Sequence, residues 1–303
     1  MKNNSGAENV KRSNLAMIQA KWIDQALFEP AFINGTWLVH SVFQHSFNLQ
    51  DPRQDQLICV SKQAARVPKG MILSADDYAA LATGLVAGTT LLVQQRVIHF
   101  PHHRLSFQKA AKFTTTFPSG TVPFDRELFW SILQHVTEKT GIQEAVSQTI
   151  SSNHPFYDAI DQLCTPSFKE QRQAVAYLVG RGVGLTPTGD DMLVGHLLAR
   201  RVMGQEDTRL VAYLQRRLLT VNDLTTDVSK HYLLHALTGA FNQSALSLTR
   251  CTDSAAFYQV IKEILAIGHT SGADFLAGFA RSINQFQNNR NEEFIWQNEW
   301  SSL

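Results

Sequence analysis

The chain has 303 residues, of which 44% are hydrophobic and 17% are charged, and its formal net charge at pH 7 is +1. This is a globular composition, and the length is sufficient for one large domain or two ordinary ones. A net charge this close to zero gives no overall field that would attract nucleic acid or an anionic membrane. The three cysteines are far apart in the sequence. They therefore predict reduced thiols rather than a disulfide framework or a zinc site.

The N-terminal sequence is polar and contains no continuous apolar segment of the kind found in a signal peptide. No stretch of the chain reaches the roughly 18 apolar residues that a membrane helix requires. We therefore expect a cytoplasmic protein that binds neither nucleic acid nor membrane. Residues 1–20 are expected to form a flexible N-terminal segment.

Residues 21–112 are predicted to form a β-rich domain. Residues 36–47, 56–61 and 89–100 are rich in β-branched and aromatic side chains, and turn sequences separate them. Several short strands at this spacing predict a small β-barrel or a rolled β-sheet.

Residues 113–303 are predicted to form a helical domain, so the fold class is α+β. Residues 113–125 are rich in Thr, Pro and Gly and mark the boundary. The short loops beyond it indicate a compact helical bundle. The predicted helices that flank the central one cover residues 126–140, 142–151, 155–164, 167–179, 208–219, 228–241, 254–267 and 272–286.

The central helix follows a glycine-rich loop in residues 180–204, which read GRGVGLTPTGDDMLVGHLLARRVMG. Thr188 is a suitable N-cap residue, and Asp191 lies three positions later, as in a capping box. These residues could serve only to cap a core helix. Alternatively, free N–H groups at the helix start bind an anion, and Asp190 or Asp191 remains for chemistry or for a cation.

A second copy of this pattern lies near the C-terminus. Residues 188–195 read TGDDMLVG, and residues 271–278 read SGADFLAG. Each copy has an aspartate in its first turn, Asp191 or Asp274. The repeat is too short for a solenoid and predicts two similar helix starts.

The glycines of the two copies suggest how the helices meet. Gly195 and Gly278 reduce helix propensity, so we expect them to allow a close helix crossing. Gly189 and Gly272 are expected to let the two backbones approach one ligand in a shared pocket. The start of another helix, at Ser229, could contribute hydroxyl and N–H groups.

At these residues the chain resembles the AllH (YlbF) family, whose signature is G-x-G-x-GLTP-[ST]-GDD-x-L-x-G. The resemblance covers about residues 30–285 in matching order. Further landmarks that the two share lie in residues 39–43, 48–49 and 57–60 and at Thr225, Thr226 and Ser229.

The resemblance implies a subunit of oxamate carbamoyltransferase that needs FdrA-like and AllG-like partner subunits for activity. Members of the family take part in anaerobic allantoin breakdown, in the conversion of oxalurate and phosphate into oxamate and carbamoyl phosphate. Two alternatives remain open. The chain could be a structural or ligand-sensing subunit that supports a partner's active site, or a homologue that acts on another carboxylate or amide.

The candidate site combines hydroxyls, N–H groups at helix starts and carboxylates, which suits the binding of a small anionic carboxylate or phosphate. Mg²⁺ is a possible cofactor, because carboxylate oxygens are ligands that it prefers. The candidate catalytic residues are Asp190 and Asp191. The candidate substrate- or anion-binding residues are Gly182, Gly184, Thr186, Thr188, Gly189, Ser229, Thr270, Ser271, Gly272 and Asp274.

Overall fold

A computed structural model describes residues 15–51, 56–118 and 123–300, although the side chains of Ala31 and of residues 289–300 are not described. The chain divides into two compact units, Met1–Thr115 and Thr116–Leu303. Each unit has a hydrophobic core of its own. Within the described residues, no helix combines the length and the apolar character needed to cross a membrane.

The first unit contains one ten-stranded sheet and little helix. A 3₁₀ turn at Gln25–Phe28 precedes the one-turn helix α1 (Pro30–Ile33), and α2 spans Ala75–Ala82. The strands are β1 (Ala16–Gln19), β2 (Trp22–Asp24), β3 (Gly35–Val42), β4 (Ser46–Asp51), β5 (Gln56–Ser61), β6 (Gly70–Ile72), β7 (Thr90–Gln94), β8 (Val97–His99), β9 (His103–Ser106) and β10 (Ala111–Phe113).

The strand order shows why this sheet curls. The order is β1-β9-β8-β7-β3-β4-β5-β6-β2-β10, so β1 lies at one edge and β2 lies next to the other. Only Ala20 and Lys21 separate these two strands in the sequence, which holds the two ends of the sheet close together. The resulting half-barrel confirms the predicted rolled sheet. Because β1 pairs with β9, the prediction of a flexible segment does not hold for residues 16–19.

The second unit is helical, as predicted. Its helices are α3 (Arg126–Leu133), α4 (Pro155–Cys164), α5 (Phe168–Leu178), α6 (Thr188–Met203), α7 (Thr208–Thr220), α8 (Asp227–Leu237), α9 (Gln243–Leu248), α10 (Ser254–Leu265) and α11 (Ser271–Trp300). The expected fold class, an N-terminal rolled sheet followed by a helical region, is therefore confirmed.

The predicted helix over residues 142–151 is wrong. This segment contains only a 3₁₀ turn at Val146–Gln148. The N–H of Thr140 donates to the carbonyl of Glu144 at 2.9 Å, and Gln143 has a φ of 66°. These features fold the segment back on itself as a tight loop, which we call the 139–145 loop.

Helices α6 and α11 cross with almost no space between their backbones. A Cβ atom added at Gly195 would lie 2.2 Å from the carbonyl oxygen of Phe275. One added at Gly278 would lie 2.1 Å from the carbonyl oxygen of Met192. Because real Cβ atoms do not approach backbone this closely, both positions require glycine. The predicted close crossing is confirmed.

A buried hydrogen-bond chain also connects these two helices. Nε of Arg200 donates to Nε2 of His196 at 2.9 Å, so Nδ1 carries the imidazole proton and donates to Oγ of Ser282 at 2.8 Å. Burial, together with the charge of Arg200, lowers the pKa of His196 well below its ordinary value. The imidazole is therefore neutral, and it acts as a fixed connection between the helices.

We expect Gly278→Ala to destabilise the protein by about 1–3 kcal/mol, because the added methyl group would force the two backbones apart. Asn288→Ala, at an exposed position of the same helix, should change the unfolding free energy by no more than about 0.5 kcal/mol. Urea unfolding followed by circular dichroism measures both. A Gly278→Ala variant as stable as the wild-type protein would contradict the tight crossing.

Candidate functional site

The first motif begins its helix differently from the prediction. Helix α6 starts at Thr188, and its N-cap is Pro187, which makes no side-chain capping bond. The expected Thr188–Asp191 capping box is therefore absent. The carbonyl of Pro187 accepts the N–H groups of Asp190 at 2.9 Å and Asp191 at 3.1 Å. Neither aspartate caps α6 with its side chain, so both carboxylates have other roles.

Gly189 and Gly272 approach other helices closely. A Cβ atom added at Gly189 would lie 2.1 Å from the carbonyl oxygen of Leu178, at the end of α5. One added at Gly272 would lie 1.8 Å from the carbonyl oxygen of Ile264, near the end of α10. These equivalent contacts explain both glycines by packing against the preceding helix, so the expected approach to a ligand is not what requires them.

Asp190 connects three segments of the helical unit. Its side chain is 1% exposed, and Oδ1 accepts the N–H of Gly180 at 2.8 Å. Oδ2 accepts the hydroxyl of Ser229 at 2.7 Å and that of Thr225. Both carboxylate oxygens are therefore occupied. Asp190 fixes the glycine-rich loop to the start of α8. The hydroxyl of Ser229 therefore serves in this connection.

The two repeat motifs meet at their helix starts. The hydroxyls of Thr186 and Ser271 are hydrogen-bonded at 2.6 Å. In addition, the N–H of Gly141 donates to Oδ1 of Asp274 at 2.7 Å, which brings the 139–145 loop against the second motif. A Cβ atom at Gly141 would lie 1.9 Å from Oγ1 of Thr188 and 3.2 Å from Oδ2 of Asp274. The structure thus brings together residues of both motifs around Gly141.

Four buried polar atoms close to this point accept or donate no hydrogen bond of normal geometry within the described residues. They belong to carboxylates of both motifs and to two further side chains: Oδ2 of Asp191, Oδ2 of Asp274, Oε2 of Glu144 and the hydroxyl of Tyr157. Buried polar groups are rarely left unpaired in folded proteins. A group of such atoms around one point is therefore typical of a ligand site.

Sequence reasoning missed Gly141, Glu144 and Tyr157. Gly141 was predicted as the stop between two helices, and Glu144 lies in the segment that was wrongly predicted to be helical. Tyr157 reads as an ordinary core residue of α4, where it is 0% exposed. The only sequence signal was Gly141, which was interpreted as a helix stop.

The site disfavours negative charge. Burial raises the pKa of Asp191 well above its ordinary value, and the charges of Asp274 and Asp190 raise it further. The hydroxyls of Ser271 and Thr186 oppose this shift without cancelling it. Burial likewise raises the pKa of Asp274, although the N–H of Gly141 acts in the opposite direction. Ionising these carboxylates therefore costs folding free energy.

The glycine-rich loop beside this site is exposed. Residues 181–185 are all exposed, and the side chain of Val183 is 87% exposed. Gly182 has a φ of 129°, and a Cβ atom there would lie 2.5 Å from the backbone nitrogen of Thr188, so the loop packs directly on the first residue of α6. The N–H groups of Gly182, Val183 and Gly184 form no hydrogen bond with the described part of the chain. The residues that carry these N–H groups are exposed.

A separate surface cavity of about 290 Å³ lies at the connection between α7 and α8. Its lining includes Thr225, Asp227 and Lys230. Thr225 is the link to the motif, because its hydroxyl donates to Asp190. The carboxylates of Asp191 and Asp274 do not line this cavity.

Comparison with known families matches both units. The model described as the AllH family N-terminal domain matches residues 14–112, and the model described as oxamate carbamoyltransferase subunit AllH matches residues 178–283. The chain belongs to the AllH family. It is a subunit of oxamate carbamoyltransferase, and the second AllH match includes both repeat motifs. No solved structure matches the chain.

We expect Asp191→Asn to raise the free energy of unfolding at pH 7. Because the pKa of Asp191 is raised in the folded state, its ionisation destabilises the fold as pH rises through that pKa. The gain should shrink as pH falls towards the ordinary pKa of 3.8, where the carboxyl group is protonated in the folded state. Thermal melts between these two pH values measure the difference.

Asp76→Asn is the matched control, since Asp76 is an exposed aspartate in the first turn of α2. It should change stability by no more than about 0.5 kcal/mol at either pH. An Asp191→Asn variant that is less stable than wild type at pH 7 would show that the carboxylate is well satisfied.

Proposed function

We propose that the helical unit binds the carbamoyl-bearing substrate of oxamate carbamoyltransferase where the two repeat motifs meet. The reaction would be oxalurate and phosphate to oxamate and carbamoyl phosphate. The observation that carries this proposal is the group of buried polar atoms on Asp191, Asp274, Glu144 and Tyr157 that form no hydrogen bond of normal geometry with the described residues. Hydroxyl groups lie beside three of them, so the site is polar. Family membership supports the reaction, because the AllH match includes the two motifs.

The two sides of the proposed site suit the two ends of such a substrate. Oxamate and oxalurate each carry a carboxylate at one end and an NH₂ group at the other. The exposed N–H groups of Gly182, Val183 and Gly184 can donate to the carboxylate, as backbone N–H groups do in anion-binding loops. Thr188 lies between this loop and Asp274, so a molecule of a few atoms could contact both.

In the proposed transfer, an oxygen of hydrogen phosphate attacks the carbamoyl carbon of oxalurate. The bond from this carbon to the oxamate nitrogen breaks, and the proton lost by phosphate ends on that nitrogen, so atoms and charge balance. N–H donors near the carbamoyl oxygen would stabilise the charge that develops there. Asp190 acts as a positioning residue, because both of its oxygens hold the loop in place.

We propose that FdrA-like and AllG-like subunits supply what this site lacks. Within the described residues, the site offers carboxylates and hydroxyls but no arginine or lysine that pairs with Asp191 or Asp274. Phosphate carries negative charge, and its binding would require cations from elsewhere in the assembly. A pathway of anaerobic allantoin breakdown would fit this reaction.

A supporting role without catalysis is the second candidate. The hydrogen bonds of Asp190 favour it, since they show that part of the motif serves to hold the fold together. The chain would then order a partner's active site. The two candidates differ in what happens to the assembled complex when Asp191 is changed.

We expect the chain alone to form no carbamoyl phosphate from oxalurate and phosphate, and the complex with its partner subunits to form it. ³¹P NMR follows the product directly. In the complex, Asp191→Asn should reduce kcat roughly 100-fold or more through loss of substrate orientation, without changing assembly in size-exclusion chromatography. Asp76→Asn should retain full activity.

Loss of assembly in Asp191→Asn, or an unchanged rate in an intact complex, would favour the supporting role. Carbamoyl phosphate formation by the isolated chain would contradict the need for partners.

A further inference from the structure

We propose that Asp191 and Asp274 together bind the NH₂ group of oxamate, whose nitrogen is the one released in the transfer, with Oδ2 of each carboxylate accepting one of its two N–H bonds. This inference extends the proposed function by stating which end of the substrate this part of the site recognises. It assigns the carboxylate end to the glycine-rich loop.

The hydrogen-bonding state of Asp274 is the first observation. Its side chain is 0% exposed, and Oδ1 accepts the N–H of Gly141 at 2.7 Å. Oδ2 is buried and forms no hydrogen bond of normal geometry with the described residues, although the hydroxyls of Thr270 and Thr188 lie close enough to lower the pKa of Asp274. A carboxylate held by one oxygen in this way presents the other in a fixed direction. Gly141 keeps that direction open, because a side chain there would lie 3.2 Å from Oδ2.

The second observation is that the equivalent residue of the other motif shows the same feature. Oδ2 of Asp191 is also buried without a hydrogen bond of normal geometry, although the hydroxyls of Ser271 and Thr186 lie near this carboxylate. The two carboxylates are close enough for the charge of Asp274 to act on Asp191. The hydrogen bond between Thr186 and Ser271 holds the two helix starts in contact. The two motifs therefore place one such acceptor each at the paired helix starts.

The chemistry of this pair selects the ligand group. Two N–H donors would stabilise the ionised, acceptor-only form of these carboxylates, which burial disfavours, whereas the carboxylate of oxamate or an oxygen of phosphate would disfavour that form further. The NH₂ group of a primary amide offers two donors in one plane and has no competing negative charge. Such a group satisfies both oxygens at once, and hydrogen bonds to charged acceptors are stronger than those between neutral groups.

A matched pair of ligands tests the inference. Oxamate and pyruvate have nearly the same shape, and they differ in that NH₂ in oxamate is replaced by CH₃ in pyruvate. Binding of each to the full chain can be measured by calorimetry for wild type, Asp274→Asn, Asp191→Asn and the control Asp76→Asn. Thermal melts confirm that each variant is folded. Titration with MgCl₂ alone tests a cation as the occupant.

We expect wild type and Asp76→Asn to bind oxamate roughly 10-fold more tightly than pyruvate, or better. Asp274→Asn and Asp191→Asn should lose most of this preference, chiefly by binding oxamate more weakly. Each substitution can place an amide donor where the substrate requires an acceptor. Asn at residue 274 can still accept the N–H of Gly141, so its fold should persist.

Three results would overturn the inference. They are equal binding of oxamate and pyruvate by wild type, no detectable oxamate binding, and an oxamate preference that survives both substitutions. If Mg²⁺ stabilises wild type but not Asp274→Asn and oxamate is not preferred, the pair is a cation site instead.

These results are distinct from a failure of the proposed function. If the complex transfers the carbamoyl group while the preference for oxamate over pyruvate does not depend on Asp274, the proposed function is supported and the NH₂ site is contradicted. If the preference for oxamate depends on Asp274 but the complex transfers no carbamoyl group, the NH₂ site is supported and the proposed function is contradicted.

Discussion

The close crossing of α6 and α11 is the constraint on which the candidate site depends. Gly195 and Gly278 allow each helix to contact the backbone of the other. Because each lies two turns from the start of its helix, the crossing also holds the two helix starts together. A side chain at either glycine would separate the starts, and with them Asp191 and Asp274. Packing in the core and geometry at the site are thus two results of one contact.

Asp190 and Asp191 are neighbours in the first motif, but their carboxylates have different hydrogen-bonding roles. Asp190 has no counterpart in the second motif, where Ala273 takes its place, and its oxygens are fully used in holding the glycine-rich loop and α8. Asp191 is shared with the second motif through Asp274, and both keep an unpaired oxygen. Burial raises the pKa of all three carboxylates, so ionising any of them costs folding free energy. The difference is that the hydrogen bonds of Asp190 use both of its oxygens, whereas each aspartate common to both motifs keeps one oxygen without a hydrogen bond of normal geometry. An ionisation cost of this kind is common where a group serves binding or catalysis.

Periodic and local signals made much of the fold predictable from the sequence. Alternating β-branched residues predicted the strands, and the glycines at residues 195 and 278 predicted the helix crossing. The site was less predictable, because its geometry depends on contacts between distant segments. Gly141 reaches Asp274 across 133 positions, and nothing local distinguishes it from a helix stop. Thr188 looked like a cap from its sequence neighbours, yet Pro187 is the N-cap residue of α6.

A double-mutant cycle on Asp191 and Asp274 tests the central claim most directly, namely that the two carboxylates face one site. The unfolding free energies of Asp191→Asn, Asp274→Asn and the double variant would be measured at pH 7. If the charges repel each other, either substitution relieves the repulsion, and the double variant gains less stability than the two single gains combined. The account predicts a departure from additivity above about 0.5 kcal/mol. Additive effects would mean that the two aspartates act independently, and would contradict a shared site.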